Sequence, residues 1–576
     1  MEDISKEKSG SSLTSETRRN VLKGLGSASA GVALAGCAGE STNDEENGET
    51  DVASADEGGE FRLIEASIED IHAAMDQHEL SAVDLVEEYL DRIEEYDDEL
   101  KAFLHINEDA VSRAESLDEE LEESGPTGPL HGIPVVLKDN NDTSDMPTTS
   151  GSKTLEGVVP AEDAEIVARL RDAGAIVLGK TNMHEFAAGI ETYSSLGGQT
   201  MSPYGYAPGG SSGGSGAAVA ANLATISTAT DTCGSIRIPA ANNNSVGIRG
   251  TIGLISRDGI APMSVLQDIG GPLTRTVADT AIMCDVLVGY DPADPSTARS
   301  IGNVPVDPEQ EVPITTSIGD VSGDEEGSYT DFLNEDGLEG ARIGVIRDYI
   351  DDESDEGKPV AEVVEAALSE FEDAGAEIVD PVSPPPANNG VIGTEFHREF
   401  NNYLSSIGDP DAPQDLSEIA AESDDIHPEV AGFIEGVAET DISTLDEDVD
   451  YLQDIIARDD FLVLNDEEIE PGNRQQVLVT MAEEELDALL YPTISEQPVE
   501  IPEDEPADQN GSNCNLSAGT GLPAITVPGG FTDDSRPIGI ELLGRRWSEG
   551  RLIELAYAYE QHTQHRTAPE EFGELD

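Results

Sequence analysis

Basic residues are scarce in this 576-residue sequence, which has 30 lysines and arginines against 120 aspartates and glutamates. The formal net charge of -90 would repel nucleic acid unless salt screened it, so nucleic acid is an unfavourable partner. Acidic residues are spread along the whole chain rather than confined to a tail. We therefore interpret the charge as the surface of a halophilic protein, in which molar salt confines electrostatic repulsion to a few ångströms.

Cysteine and aromatic residues are also few. The four cysteines, Cys37, Cys233, Cys284 and Cys514, are far apart and form no CxxC pair. The sequence therefore predicts no metal site and makes a disulfide framework an unfavoured interpretation. No motif indicates a cofactor. Aromatic residues make up only 4% of the chain, yet apolar segments with regular spacing recur throughout, which argues against disorder.

The amino-terminal segment has the features of an export signal. Arg18 and Arg19 precede a weakly apolar stretch at 24–35, which is too short to form a stable membrane span. This arrangement is typical of a twin-arginine signal over residues 1–37. The letters LAGC at 34–37 resemble a lipoprotein processing box, in which Cys37 becomes lipidated. We predict export and lipid anchoring on the outer face of the cytoplasmic membrane; the alternative is a fortuitous basic start with a buried cysteine.

The rest of the chain alternates between helix and strand patterns. Residues 38–66 predict an acidic flexible tether, and 67–570 a single folded domain. Ser81 has the spacing of a helix N-cap, and the apolar run at 133–137 predicts a buried strand that ends at Lys138. The alternation predicts an α/β fold with helices on both faces of a sheet. Weaker, acidic helical patterns at 384–480 suggest a variable region near the site.

The glycine- and serine-rich stretch at 207–239 is the strongest local feature. A flexible linker does not fit, because helix and strand patterns flank it on both sides. A phosphate-binding loop would end in Gly-Lys-Ser/Thr, and a dinucleotide site would show GxGxxG after a strand; neither is present. The GxSxG elbow of α/β-hydrolases is also missing from a strand-turn-helix context.

The order and spacing of several motifs resemble the amidase signature family over residues 67–569. The motifs are LHGIPVVLKD at 130–139, GKTN at 179–182, GGSSGGS at 209–215, TDTCGSIR at 230–237, GPLTRTVAD at 271–279 and LPA at 522–524. The resemblance implies the amidase-signature fold, a large mixed sheet covered by helices on both faces. It also implies hydrolysis of an amide without metal or cofactor.

Site residues follow from the same resemblance. The implied triad is Lys138, Ser211 and Ser235, with Ser235 as nucleophile, Ser211 as proton relay next to a cis peptide and Lys138 as base. Such a lysine must be neutral, and burial is what lowers its pKa. Backbone N–H groups of Thr232, Cys233 and Gly234 are implied to form the oxyanion hole. Ser212 is implied to orient the network.

Other side chains near these motifs have simpler interpretations. His131 invites a Ser-His hypothesis, but its place in the lysine motif favours a structural or rim position. His184 is interpreted as near the substrate or exposed, and the Cys233 thiol as packed or facing the pocket. Ser211 and Ser212 could instead only shape a turn, and Ser235 could be a helix cap.

Three functions remain open from the sequence. Residues 256–262, 267–268 and 291–295 look most like the peptide amidase branch, which removes C-terminal amides, so the expected substrate is a small-molecule or peptide amide. The first alternative is the glutamine-hydrolysing subunit of a tRNA amidotransferase, which an export signal and a charge of -90 disfavour. The second is an exported lipoprotein that binds amides or peptides without catalysis, which has no need of the triad. The sequence leaves the oligomeric state open.

Overall fold

The computed structural model describes residues 61–306, 327–387, 392–440, 442, 462–465, 468–471, 473–503 and 505–575. The chain divides into a unit over Met1–Gly59 and a unit over Glu60–Asp576, and all the described residues belong to the second. The predicted signal with Cys37, and the tether as far as residue 60, lie outside the described residues.

Helices and strands alternate along the chain. The helices are α1 (Ile68–Asp76), α2 (Ala82–Leu100), α3 (Ala110–Ser124), α4 (Glu165–Asp172), α5 (Gly213–Ala220), α6 (Arg237–Asn242), α7 (Val277–Leu287), α8 (Lys358–Asp373), α9 (Ile392–Ser406), α10 (Leu416–Ala421), α11 (Pro428–Ala438), α12 (Asn473–Glu483), α13 (Asn515–Thr520) and α14 (Glu549–Thr563). The strands are β1 (Phe103–Ile106), β2 (Pro134–Lys138), β3 (Ile176–Thr181), β4 (Tyr193–Ser194), β5 (Gly198–Gln199), β6 (Ile226–Asp231), β7 (Val246–Arg249), β8 (Ile269–Thr274), β9 (Arg342–Val345), β10 (Glu377–Val379), β11 (Leu462–Asn465), β12 (Glu468–Pro471), β13 (Ala488–Pro492), β14 (Ala524–Phe531) and β15 (Pro537–Leu543).

Eleven strands form one mixed sheet in the order β1-β3-β2-β6-β8-β7-β14-β15-β13-β9-β10. Every residue of β2, β3, β6, β13 and β15 is buried, so both faces of the sheet are covered. This confirms the predicted α/β fold class. β2 pairs in parallel with both β3 and β6, and therefore the three strands end at the same edge of the sheet. That edge carries Lys138 at the end of β2 and Asp231 at the end of β6.

Local sequence explains how the helices begin and pack. Ser81 forms a capping box with Asp84 at the start of α2, as its spacing predicts. α5 consists of glycine, serine, alanine and one valine, and all eight of its residues are buried. A Cβ atom at Gly214 would lie 2.3 Å from the Asn182 carbonyl oxygen, so only glycine permits this approach to the end of β3. The glycine-rich stretch is thus a packed element rather than a linker.

The described parts of 384–480 contain α9, α10, α11, the hairpin β11-β12 and the start of α12. α9, α10 and α11 share a second apolar core with residues of the main body, including Phe186 and Met263. The hairpin β11-β12, with Leu462 opposite Pro471, has no counterpart in the sequence prediction. Within the described ranges, no helix is long and apolar enough to cross a membrane.

Arg92 of α2 joins the carboxyl-terminal segment to the segment that follows α5. The side chain is buried and its guanidinium donates four hydrogen bonds at 2.6–2.9 Å to the carbonyl oxygens of Ala221, Asn222, Phe572 and Gly573. Because a guanidinium holds its donors in a rigid fork, one side chain can bind both segments at once.

We expect Arg92→Leu to destabilise the fold by about 3 kcal/mol or more, because it removes four hydrogen bonds to backbone carbonyl groups. Urea unfolding in molar KCl measures the change. Arg62→Leu is the matched control, since Arg62 is exposed and its ion pair within the described part of the chain is with Glu574 at 3.4 Å; its effect should stay within about 0.5 kcal/mol. Equal midpoints for the two variants would contradict the assignment.

Candidate active site

Lys138 lies at the carboxyl end of β2 with no exposed surface. Its Nζ atom is 2.7 Å from Ser211 Oγ and 2.8 Å from Thr230 Oγ1. Burial lowers the pKa of Lys138 to about 7, although the carboxylates of Asp231 and Asp268 act in the opposite direction. A substantial fraction of this lysine is therefore neutral near neutral pH and able to accept a proton.

Ser211 follows a tight turn that precedes α5. The peptide bond between Gly210 and Ser211 is cis, as the family resemblance implies. The Ser211 carbonyl oxygen accepts a hydrogen bond from the His184 N–H at 2.9 Å. Ser212 Oγ donates to the Thr230 carbonyl oxygen at 3.3 Å. The turn is thereby attached to the end of β6, which brings Ser211 to Lys138 although 73 residues separate them in sequence.

Ser235 lies in the turn between β6 and α6, and 6% of its surface is exposed. The Asp231 carboxylate accepts hydrogen bonds from the N–H groups of Gly234 at 2.8 Å and Ile236 at 3.2 Å, one on each side of Ser235. Burial acts to raise the pKa of Asp231, but the charges of Arg237 and Arg249 hold it well below its usual range. A charged aspartate thus fixes the backbone on both sides of Ser235.

The same contact bears on the implied oxyanion hole. Because the Gly234 N–H donates to Asp231, it is already engaged in this structure. Gly234 has a φ of +87°, a conformation that favours glycine and lets the turn reverse just before Ser235. The implied donation by Thr232, Cys233 and Gly234 to an oxyanion stays a prediction, and Gly234 would have to share its N–H.

Asp268 holds the other end of this turn. Thr232 Oγ1 donates to Asp268 Oδ1 at 2.5 Å, and the N–H groups of Met263 and Ser264 donate to Oδ2 at 2.8 Å. Burial raises the pKa of Asp268 to about 6. The Ser264 hydroxyl in turn donates to Glu395 of α9, so a continuous set of hydrogen bonds joins α9 to the turn that carries Ser235.

The structure corrects the interpretation of Cys233. Its Sγ atom forms a disulfide with Cys514, with a Cα–Cα distance of 5.1 Å and 281 residues between the two positions. The thiol is therefore neither free in the pocket nor simply packed. Sequence spacing gives no pairing signal over such a distance, because only the fold brings the two cysteines together. Cys284 is a free, buried thiol.

Neither histidine lies where a Ser-His mechanism would need it. His131 is buried, and its Nδ1 accepts a hydrogen bond from the Thr127 N–H at 3.0 Å. Burial lowers its pKa. His184 is buried rather than exposed and lies 3.2 Å from Glu191, with its ring against Tyr193. His131 thus has the structural role that its motif favours.

Sequence reasoning missed four groups that contact the implied triad or its turn, namely Thr230, Asp231, Asp268 and Cys514. Thr230 lies inside the TDTCGSIR motif, but nothing in the letters marks it as the second contact of Lys138. Asp268 appeared in the sequence analysis only within a segment that resembles the peptide amidase branch, with no contact assigned to it. Cys514 carried no local signal. Among the described residues, no three or more histidine, cysteine, aspartate or glutamate side chains are arranged to hold a metal ion.

Comparison with known proteins agrees with these motifs. The amidase family model matches residues 84–553. The chain is 35% identical over 516 residues to a glutamyl-tRNA(Gln) amidotransferase subunit of Nocardia farcinica, covering 85% of this chain and 96% of that protein. A probable amidase of Arabidopsis thaliana is 32% identical over 532 residues, covering 88% and 92%.

A similar solved structure is the native peptide amidase of Stenotrophomonas maltophilia. It superposes with a TM-score of 0.73 at 35% identity, covering 88% of this chain and 99% of that one. The family model matches most of the chain, and the relatives share about a third of their residues with it over most of both chains. These two findings show the family. The chain belongs to the amidase signature family and is an amide-hydrolysing enzyme.

Proposed function

We propose that this enzyme hydrolyses the C-terminal amide of peptides, or a related small carboxylic amide, through an acyl-enzyme on Ser235. The observation that carries the proposal is the contact between a fully buried Lys138 and Ser211, with Nζ and Oγ 2.7 Å apart. A lysine with a pKa near 7 can remove a proton from a hydroxyl group, which an ordinary surface lysine cannot do at neutral pH.

Acylation begins when Ser235 Oγ attacks the carbonyl carbon of the amide. The hydroxyl proton of Ser235 passes to Ser211 Oγ, and the Ser211 proton passes to the neutral Nζ of Lys138. The tetrahedral intermediate then collapses with cleavage of the C–N bond. The leaving nitrogen takes a proton from Ser211, which recovers one from Lys138, so that ammonia or an amine departs and Lys138 is neutral again.

Deacylation uses the same relay with water in place of serine. Water attacks the Ser235 ester and gives its proton through Ser211 to Lys138. Collapse of the second intermediate releases the carboxylic acid, and the proton returns to Ser235 Oγ. In both steps, backbone N–H groups of the 232–234 turn stabilise the oxyanion; each such donor is worth about 3 kcal/mol in other enzymes.

A second candidate is hydrolysis of free glutamine, as the names of the amidotransferase relatives suggest. Sequence identity does not separate the two, because it is 35% to the peptide amidase and 35% to the Nocardia protein. The charge of -90 favours the peptide amidase, since it opposes approach to tRNA. A protein that only bound amides would not need the buried contact between Lys138 and Ser211.

Export and lipid anchoring through Cys37 form part of the proposal. They rest on Arg18, Arg19 and the LAGC letters at 34–37. The Cys233–Cys514 disulfide supports an oxidising location, because such bonds are rare in the cytosol of most organisms.

We expect Cys37→Ala to release active enzyme from membranes into the soluble fraction, as measured by fractionation and amidase assay. Membrane retention equal to wild type would contradict lipidation at Cys37.

The substrate prediction is that the mature enzyme releases ammonia from an N-acylated dipeptide amide in molar KCl and leaves free glutamine unchanged. Ser235→Ala should lower kcat by about 10⁴-fold or more, because it removes the nucleophile. Ser369→Ala is the control, since Ser369 is an exposed serine of α8. Turnover of Ser235→Ala at the wild-type rate would refute the mechanism, whereas preference for glutamine would support the second candidate.

The pH prediction follows from Lys138. Since the base must be neutral, kcat/KM should rise with pH through about 7 and fall about tenfold for each pH unit below that value. The profile is measured in molar salt with the peptide amide. His131→Gln should keep the same midpoint, because the His131 ring bonds to Thr127 rather than to Ser211. A midpoint that moves in His131→Gln would reassign the base.

A further inference from the structure

The Cys233–Cys514 disulfide lies directly beside the proposed nucleophile. Cys233 is two residues before Ser235, within the turn assigned to the oxyanion. Cys514 immediately precedes α13, and 7% of its surface is exposed. The bond therefore links the Ser235 turn to a part of the chain that lies 281 residues away in sequence.

The segment around Cys514 is firmly attached to the body of the protein. The Asn513 side chain donates to the carbonyl oxygens of Tyr349 at 3.0 Å and Pro492 at 2.8 Å. Ser517 Oγ donates to the Leu522 carbonyl oxygen at 2.7 Å, and Leu516 is fully buried in an apolar cluster. Cys514 is consequently a fixed point to which the turn is bonded.

Different interactions hold the three residues of the turn. Thr232 is held by its hydrogen bond to Asp268, and Gly234 by its hydrogen bond to Asp231. Cys233, between them, is held by a covalent bond. A Cβ atom at Gly234 would lie 2.9 Å from Cys514 Cβ, so the turn also packs closely against its anchor.

We propose that the Cys233–Cys514 disulfide is a positioning element for catalysis: it holds the backbone of the 232–234 turn where its N–H groups meet the oxyanion. The inference rests on the proposed function, in which Ser235 is the nucleophile. The two cysteines do not touch the reacting atoms and act through the turn. A displacement of about 1 Å in such a group can reduce the rate about 100-fold.

A purely structural disulfide makes a different prediction. It would stabilise the fold by restricting the unfolded chain, and its loss would lower the unfolding midpoint without changing turnover below that midpoint. A positioning disulfide affects kcat in the folded enzyme. Substrate binding away from the turn should be preserved, and therefore KM should change much less than kcat.

The test uses the full mature chain in molar KCl, with the N-acylated dipeptide amide as substrate. Dithiothreitol breaks the S–S bond by two thiol–disulfide exchanges, which leaves two cysteine thiols and the cyclic disulfide of the reagent. Alkylation with iodoacetamide, counted by mass spectrometry, shows how much of the bond is reduced. Circular dichroism of a portion of each sample taken before alkylation reports whether the fold persists at the assay temperature.

We expect the reduced, folded enzyme to lose about 10- to 100-fold in kcat, with KM changed less than about threefold. Cys514→Ala should show the same loss and no further response to dithiothreitol. Cys284→Ala is the matched control, since this free cysteine lies in α7 and is not part of the disulfide; it should keep wild-type turnover and wild-type sensitivity to the reagent.

Two results would overturn the inference. Reduced, folded enzyme with kcat within about twofold of the oxidised enzyme would show that the hydrogen bonds alone position the turn. Unfolding of both the reduced enzyme and Cys514→Ala at the assay temperature would assign the bond to stability instead. Failure of the proposed function is distinguishable, because it would appear as full turnover in Ser235→Ala whatever the state of the disulfide.

Discussion

The burial of a lysine without a partner carboxylate is the constraint on which the site depends. Lys138 contacts two hydroxyl groups, Ser211 and Thr230, and burial lowers its pKa to about 7. Lys180 at the end of the neighbouring strand β3 is equally buried but lies 3.4 Å from Asp139. Burial lowers the pKa of both lysines, but the adjacent Asp139 carboxylate opposes the change at Lys180. Lys138 instead has two neutral hydroxyl groups as its hydrogen-bond partners, which suits a group that must release and accept a proton.

The carboxylates of Asp231 and Asp268 keep the pKa of Lys138 from falling further. Asp231 is in turn paired with arginines. Asp231 is neutralised by Arg237 and Arg249, and Arg237 also pairs with Glu541. A chain with only 30 basic residues commits several of its arginines to such buried positions. A buried guanidinium group can bond to several partners at once, which explains why arginine rather than lysine pairs with these carboxylates.

How much could be predicted from the sequence differed between local and distant features. The Ser81 cap, the strand ending at Lys138 and the α/β class follow from spacing within a few residues, and all three are present. The meeting of Lys138 with Ser211 was available only through the family resemblance, because periodicity does not indicate which strand ends and turns converge. The disulfide and the β11-β12 hairpin had neither a local nor a family signal, and the interpretation of Cys233 as a packed or pocket-facing thiol was wrong for that reason.

The turn that carries Ser235 is the point at which separate parts of the molecule meet. Asp231 fixes it from β6, Asp268 from the segment before β8, and Cys514 from the start of α13. Through Ser264 and Glu395, α9 is joined to the same hydrogen bonds. A small displacement of Asp231, Asp268 or Cys514 would therefore move the same backbone atoms of the turn. The turn is thus held jointly by hydrogen bonds that reach α9 and by the covalent bond to Cys514, so supports from distant parts of the sequence fix the same backbone atoms.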